Sequence, residues 1–262
     1  MVGELQKARI VFTRLFINLL VRAEQKSPKG DFCVNVYESV YHRKMTPAEV
    51  YAKYRIYRGL QKHQLRVAAV ARFVAERSRG VASVETVTRV GLFHDMGNII
   101  KADLPRFQEF LEPEGLVYWE GVKREFVGRY GPDEHVATAA ICRDIGLSED
   151  ILSLIDNMRF SRTQWILEKG SIEQKICKYA DMRVSPWGIL PLRERLAEAR
   201  ARYQGHPMDK GETYTPELLA RSADMCAEIE AWLVSKCDFV PEDITDTALA
   251  SFVEQLKSCP LS

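Results

Sequence analysis

The sequence predicts an all-α fold. Three observations lead there: apolar residues recur at three- and four-residue spacing along most of the chain, helix-starting hydroxyls and prolines precede the periodic segments, and alternating apolar and polar runs between tight turns are almost absent. The 262 residues are 46% hydrophobic, so a sizeable core can form without disulfide staples. The 37 basic and 36 acidic residues nearly cancel, which offers no basic stripe to nucleic acid and no broad charge to an anionic membrane. Any recognition of phosphate has to be local.

The elements follow in chain order. Phe12, Leu15, Phe16, Leu19 and Leu20 keep helical spacing until Ser27-Pro28-Lys29-Gly30 ends the run, so residues 1–44 read as a leading helix and loop packed on the main body. The apolar stretch from Ile10 to Val21 is too short to span a bilayer, contains Arg14 and Asn18, and is followed by no small-residue cleavage site. Six cysteines, at positions 33, 142, 177, 226, 237 and 259, form no Cys-x-x-Cys pair and read as reduced, mostly buried thiols. A cytoplasmic location without a membrane partner is the expectation.

Thr46-Pro47-Ala48-Glu49 joins a capping hydroxyl, a proline at the first helical position and a glutamate at the third, and opens a helix reaching about Gly59. The next helix, from about Gln61 to Arg77, carries His63, Val67, Val70 and Val74 on one face, and Gly80 stops it. Ser83 caps a helix in which Val87, Val90, Gly91 and His94 share a face, with His94 and Asp95 in the last turn and Gly97 as terminator. Between 102 and 132, Pro105, Pro113, Tyr118, Trp119 and Tyr130 mark a less regular stretch, expected as short helices framing a pocket mouth. Helices are then predicted from about Asp133 to Ile145, from Ser148 to Asn157, and from Ile172 to Arg183, the last holding Asp181 in its final turn before Pro186 and Gly188. A helix from Leu192 to Tyr203 follows. Thr215-Pro216-Glu217 opens another to near Cys237, and a last covers 247–257. The helices from Thr215 onward either complete the core or support a homodimer.

Asp95 is a carboxylate in apolar surroundings near a helix end, and burying it ionised and alone costs several kcal/mol. A divalent cation flanked by imidazoles offsets that cost. Taken singly, His63 is also readable as a hydrogen-bonded core histidine, Asp181 as a helix-end acid, and His94-Asp95 as an ordinary helix terminus. Their order along the chain carries the stronger reading.

Lys62-His63-Gln64-Leu65-Arg66-Val67 is followed by Phe93-His94-Asp95-Met96-Gly97 and then by Lys178-Tyr179-Ala180-Asp181-Met182-Arg183. This succession, within about residues 45–203, resembles the HD-domain superfamily of metal-dependent phosphohydrolases. The resemblance implies an HD-domain helical bundle over 45–204, preceded by the 1–44 segment and followed by a helical extension over 205–262. It implies four ligands, His63, His94, Asp95 and Asp181, to one divalent transition metal ion. Mixed imidazole and carboxylate ligation suits Mn, Fe, Co, Ni or Zn better than Ca.

Two departures from the family pattern qualify the site. His135 matches the place where dinuclear members put a ligand for a second ion, yet Leu154-Ile155-Asp156-Asn157-Met158 on the next helix lacks the histidine that completes such a site. A single ion is therefore expected, with His135 as a catalytic group supporting the site or touching phosphate, ahead of a weakly held second ion or a purely structural histidine. Many relatives carry lysine after the glycine of the tandem motif, where this chain has Asn98. Asn98, Lys101, Arg66 and Arg183 are the candidate phosphate contacts, and Asp95 the candidate for deprotonating the attacking water. The implied activity is hydrolysis of a nucleotide or another small phosphate ester through a metal-activated water. A second reading, motivated by Asn98, Asn157 and Met158, is a catalytically silent HD-fold module that binds metal or nucleotide for regulation.

Overall fold

Thr46 and Glu49 close the capping box that starts the described chain: the Thr46 side chain accepts from the Glu49 amide, and the Glu49 carboxylate accepts from the Thr46 amide at 2.8 Å. The computed structural model describes residues 45–203 and 213–260. The readings made for residues 1–44, including Cys33 and the leading helix, lie outside these residues.

The first helix, α1 (Pro47–Lys53), is shorter than the sequence suggests. Tyr54 caps it, Arg55 adopts φ 50°, and α2 (Arg58–Glu76) begins before the predicted boundary at Gly59. Gly59 belongs to the first turn of α2, where a Cβ would lie 2.7 Å from the Phe110 Cβ. Its glycine reflects a close neighbour and not a chain break. Val67 to Ala71 are all fully buried, so α2 is surrounded at mid-length, and α3 (Val84–Phe93), α8 (Ile172–Arg183) and α11 (Asp246–Ser258) pack against it.

The crossing of α2 and α3 is made backbone to backbone. A Cβ on Gly91 would lie 2.5 Å from the Ala68 Cα, a distance open only to glycine. Ser83 caps α3 as predicted. Gly97, read as a helix terminator, has φ −92° and needs no left-handed conformation. Its constraint is again tertiary, since a Cβ there would meet the Glu134 carbonyl oxygen at 2.3 Å.

The stretch expected to be irregular contains a regular helix, α4 (Gly115–Tyr130). Trp119, Val122 and Phe126 form its buried face, while Val117, Tyr118 and Val127 stand exposed between them and hide the period. Helix α5 (Glu134–Asp144) starts where Asp133 accepts from the amides of His135 and Val136, and α6 (Glu149–Asn157) follows the Ser148 turn. A short helix not anticipated from sequence, α7 (Thr163–Lys169), precedes α8, which a second capping box at Ser171 and Gln174 opens. Beyond it lie α9 (Leu192–Tyr203), α10 (Pro216–Lys236) and α11.

Residues 45–203 and 213–260 belong to one compact unit, and the all-α class holds among them, with bridge residues confined to Val184, Ile189 and Thr213. Ile229, Leu233, Leu249 and Leu256 of α10 and α11 are buried in the common core, so these helices complete it. Cys142, Cys177, Cys226 and Cys237 are buried free thiols and Cys259 is an exposed one. No described helix is long and apolar enough to cross a membrane.

Candidate metal centre

Three separate stretches of chain meet where α2, α3 and α8 pack together. His63 comes from α2, His94 caps the C-terminus of α3 with Asp95 next to it, and Asp181 lies in the last turn of α8. His63, His94 and Asp181 each offer one ligand atom, all within 4.8 Å of one another. The His63 Nε2 is 3.3 Å from Asp181 Oδ1, and the His94 Nε2 is 3.7 Å from the same oxygen. Asp95 stands outside that mutual set, with its Oδ2 3.8 Å from His63 Nε2 and 3.7 Å from His94 Nε2.

The donor set fits a divalent cation. The Nδ1 of His94 lies 3.0 Å from the Gly91 carbonyl oxygen, which makes Nδ1 the donor and leaves the Nε2 lone pair facing the carboxylates. That Nε2 is buried and has no hydrogen-bond partner, a position that costs free energy unless something there accepts the lone pair. The side chain of His94 is 3% exposed, that of Asp181 19% and that of Asp95 25%, so the cluster opens toward Asp95.

The carboxylates and imidazoles set one another's charge. Burial by itself lowers the His94 pKa, but Asp95 and Asp181 overcome it and raise the value to about 9. Burial raises the Asp181 pKa, and the two imidazoles beside it more than reverse that, holding it well below the usual carboxylate range. In metal-free protein the stabilisation from protonated His94 is therefore fully present below pH 6.5 and lost as pH rises through about 9. Metal and proton compete for one lone pair, so metal affinity should rise over the same interval, with a proton released on binding. Calorimetric titration in buffers of different ionisation enthalpy measures that release; a buffer-independent heat at pH 7 would contradict it.

The remaining sequence candidates are placed unevenly. Asn98 does not face outward as a phosphate contact: its Nδ2 donates to Asp95 Oδ2 at 2.6 Å and so orients the carboxylate. Lys101 pairs with Glu134 at 3.0 Å, and although removal from water works against its charge, Asp95 and Glu134 raise its pKa. His135 sits in the first turn of α5, its Nε2 3.5 Å from Glu134 Oε1, outside the metal group. Arg66 is committed to Asp246, with its Nε donating to Oδ1 at 2.7 Å.

Arg183 requires a correction. Expected beside the ion, it is 1% exposed and turned into the core, where Nη2 donates to the carbonyls of Pro241 at 3.1 Å and Ile244 at 3.0 Å, Nη1 to the Tyr179 hydroxyl, and Nε to the Leu190 carbonyl. With its donors so engaged, it ties α8 to the segment before α11 and has no direction left for a substrate.

Several groups near the site carried no usable sequence signal. Gln64 is fully buried, and its Oε1 accepts from the Asp95 amide at 3.3 Å. The Thr138 hydroxyl accepts from the Gly97 amide at 2.9 Å and so joins the loop after Asp95 to α5. The carboxylates also act on groups they do not bond: burial and then Asp95 raise the pKa of Tyr57, and burial lowers that of Arg195, which Asp181 helps keep charged. Gln64 was legible only as the neighbour of His63; the others lie in positions that depend on how the helices cross.

Comparison with protein-family models matches residues 60–183 to the HD domain. No curated protein and no solved structure gives a match. The matched segment begins in α2 and ends at the last residue of α8, and so contains all four of His63, His94, Asp95 and Asp181.

Proposed function

We propose that this chain hydrolyses a small phosphate ester, nucleotides being the leading candidates, because residues 60–183 match the HD domain, a type generally found in metal-dependent phosphohydrolases. The observation that carries the reading is the buried, unpartnered Nε2 of His94 within the His63, His94 and Asp181 group. When bound there, one divalent ion of Mn, Fe, Co, Ni or Zn would supply Lewis acidity toward phosphoryl oxygen and acidify a water. His63, His94 and Asp181 would hold it, with Asp95 completing the set from the open side. Asp95, kept in place by the Asn98 amide and by the Gln64 contact to its own backbone, is positioned to take a proton from water arriving on that side. Lys101 supplies positive charge for the phosphoryl oxygens, and His135 supports it through their shared partner Glu134.

The test is phosphate release from a panel of phosphomonoesters and phosphodiesters by protein stripped with chelator and reloaded with each ion in turn. Turnover is expected with at least one ion, and Asp95→Ala should lower it by about 100-fold or more while leaving the helical circular dichroism intact. A protein that holds its ion and turns over nothing would favour the silent regulatory module instead.

A further inference from the structure

An aromatic cluster lies along the face of α2 that carries His63. Gly59, His63 and Arg66 follow one another along one face of α2 at helical spacing. At one end of this stripe stands Phe110, against Gly59. At the other end, Arg66 is held by Oδ1 of Asp246, while Oδ2 of Asp246 accepts from the Ile189 amide at 2.9 Å. Trp187 precedes Ile189 by two residues, in a turn tied by the Ser185 hydroxyl, which accepts from the Trp187 amide at 3.2 Å and from the Gly188 amide at 3.1 Å. A Cβ on Gly188 would lie 2.4 Å from Asp246 Oδ2, so the turn sits tight against its anchor.

The Trp187 ring lies 6.3 Å from that of Phe110 and 5.9 Å from that of Phe107, centroid to centroid. A turn fixed at the Arg66 end whose indole reaches Phe110 at the Gly59 end runs along the stripe, and His63 is the middle residue of that stripe. Trp187 nevertheless remains 55% exposed. It is therefore a large ring held in place by packing and a tied backbone, yet with a face left to water, along the α2 face that carries His63.

Beyond Asp95 the group is polar. There Asn98 holds Asp95 at 2.6 Å and Lys101 pairs with Glu134. An anionic ester at this group would have hydrogen-bonding and cationic groups beyond Asp95 and an aromatic surface along the α2 face that carries His63. We propose that Trp187 stacks on a planar aromatic part of the substrate, which makes it a specificity-determining residue for phosphate esters that carry such a group. The proposal rests on the phosphohydrolase reading for its substrate and on the ring geometry for its residue.

Two measurements test it. In metal-loaded protein, W187A should raise KM about tenfold for adenosine 5′-monophosphate, with kcat little changed, W187F restoring most of the loss, and KM for glycerol 3-phosphate unaltered. Phenyl phosphate, whose ring sits at the ester itself, separates an aryl leaving group from a distant base: the larger W187A effect marks the one that stacks. Independently of turnover, adenosine 5′-monophosphate should quench the tryptophan fluorescence of the wild-type protein and not that of W187F. An equal KM rise for glycerol 3-phosphate, an unchanged KM for both aromatic esters, or a quench that persists in W187F would overturn the role of Trp187. Loss of hydrolysis of every ester in the wild-type protein would remove the phosphohydrolase reading, while the quench would still decide whether Trp187 meets an aromatic ligand.

Discussion

Asp181→Asn should leave the protein folded and unable to retain its divalent ion, with affinity lower by about a thousandfold or more. Asparagine keeps the shape of the side chain but removes the negative charge that faces both imidazoles at 3.3 and 3.7 Å. Loss of a residue that merely supports a ligand typically costs about 10- to 100-fold in affinity, and removing a charged ligand goes further. Elemental analysis after gel filtration reads the stoichiometry directly. Thermal unfolding gives a second measure, since added metal should raise the transition temperature of the wild-type protein and not of the variant. One ion per chain retained by Asp181→Asn would remove Asp181 from the ligand set and weaken the whole assignment.

Arg183→Ala should cost about 3–5 kcal/mol of stability, the usual range for removing one partner from a buried charged network. The carbonyls of Leu190, Pro241 and Ile244 and the Tyr179 hydroxyl would each lose a donor. The Glu230 carboxylate, 3.9 Å from the guanidinium and with a buried oxygen already lacking a hydrogen bond, would lose its cation as well. Urea unfolding measures the loss, and in the folded fraction KM should stay within about threefold of wild type, since substrate contact is not what the residue provides. Normal stability with a greatly raised KM would return Arg183 to the phosphate-binding role that its sequence position suggests.

Arg183 shows where reading the chain alone stops. Its position two residues after Asp181 places it correctly at the end of α8, but a helix end has several directions for a long side chain. The segment at 241–244, some sixty residues on, decides among them. Arg66 is similar: it lies one turn from His63 as expected, yet its partner Asp246 is 180 residues away. The three glycines at 59, 91 and 97 read as ordinary punctuation or packing positions, whereas each marks a neighbour closer than a Cβ allows. Helix α4 escaped detection because apolar residues on its outer face blurred the period that defines the inner one.

What the sequence by itself determined was the all-helical class, the starts of most helices and the residue types able to bind an ion. Those properties arise within a few residues: a capping box at Thr46 and Glu49 or Ser171 and Gln174, a 3.6-residue apolar period, a His-Asp pair at a helix end. Only the tertiary structure decided which cations remain near the cluster, that Asn98 serves Asp95, and that the turn holding Trp187 is anchored through Asp246, the partner of Arg66. Such outcomes depend on backbone crossings like that of Gly91 over Ala68, where a few tenths of an ångström between distant residues select one arrangement of side chains and exclude the rest.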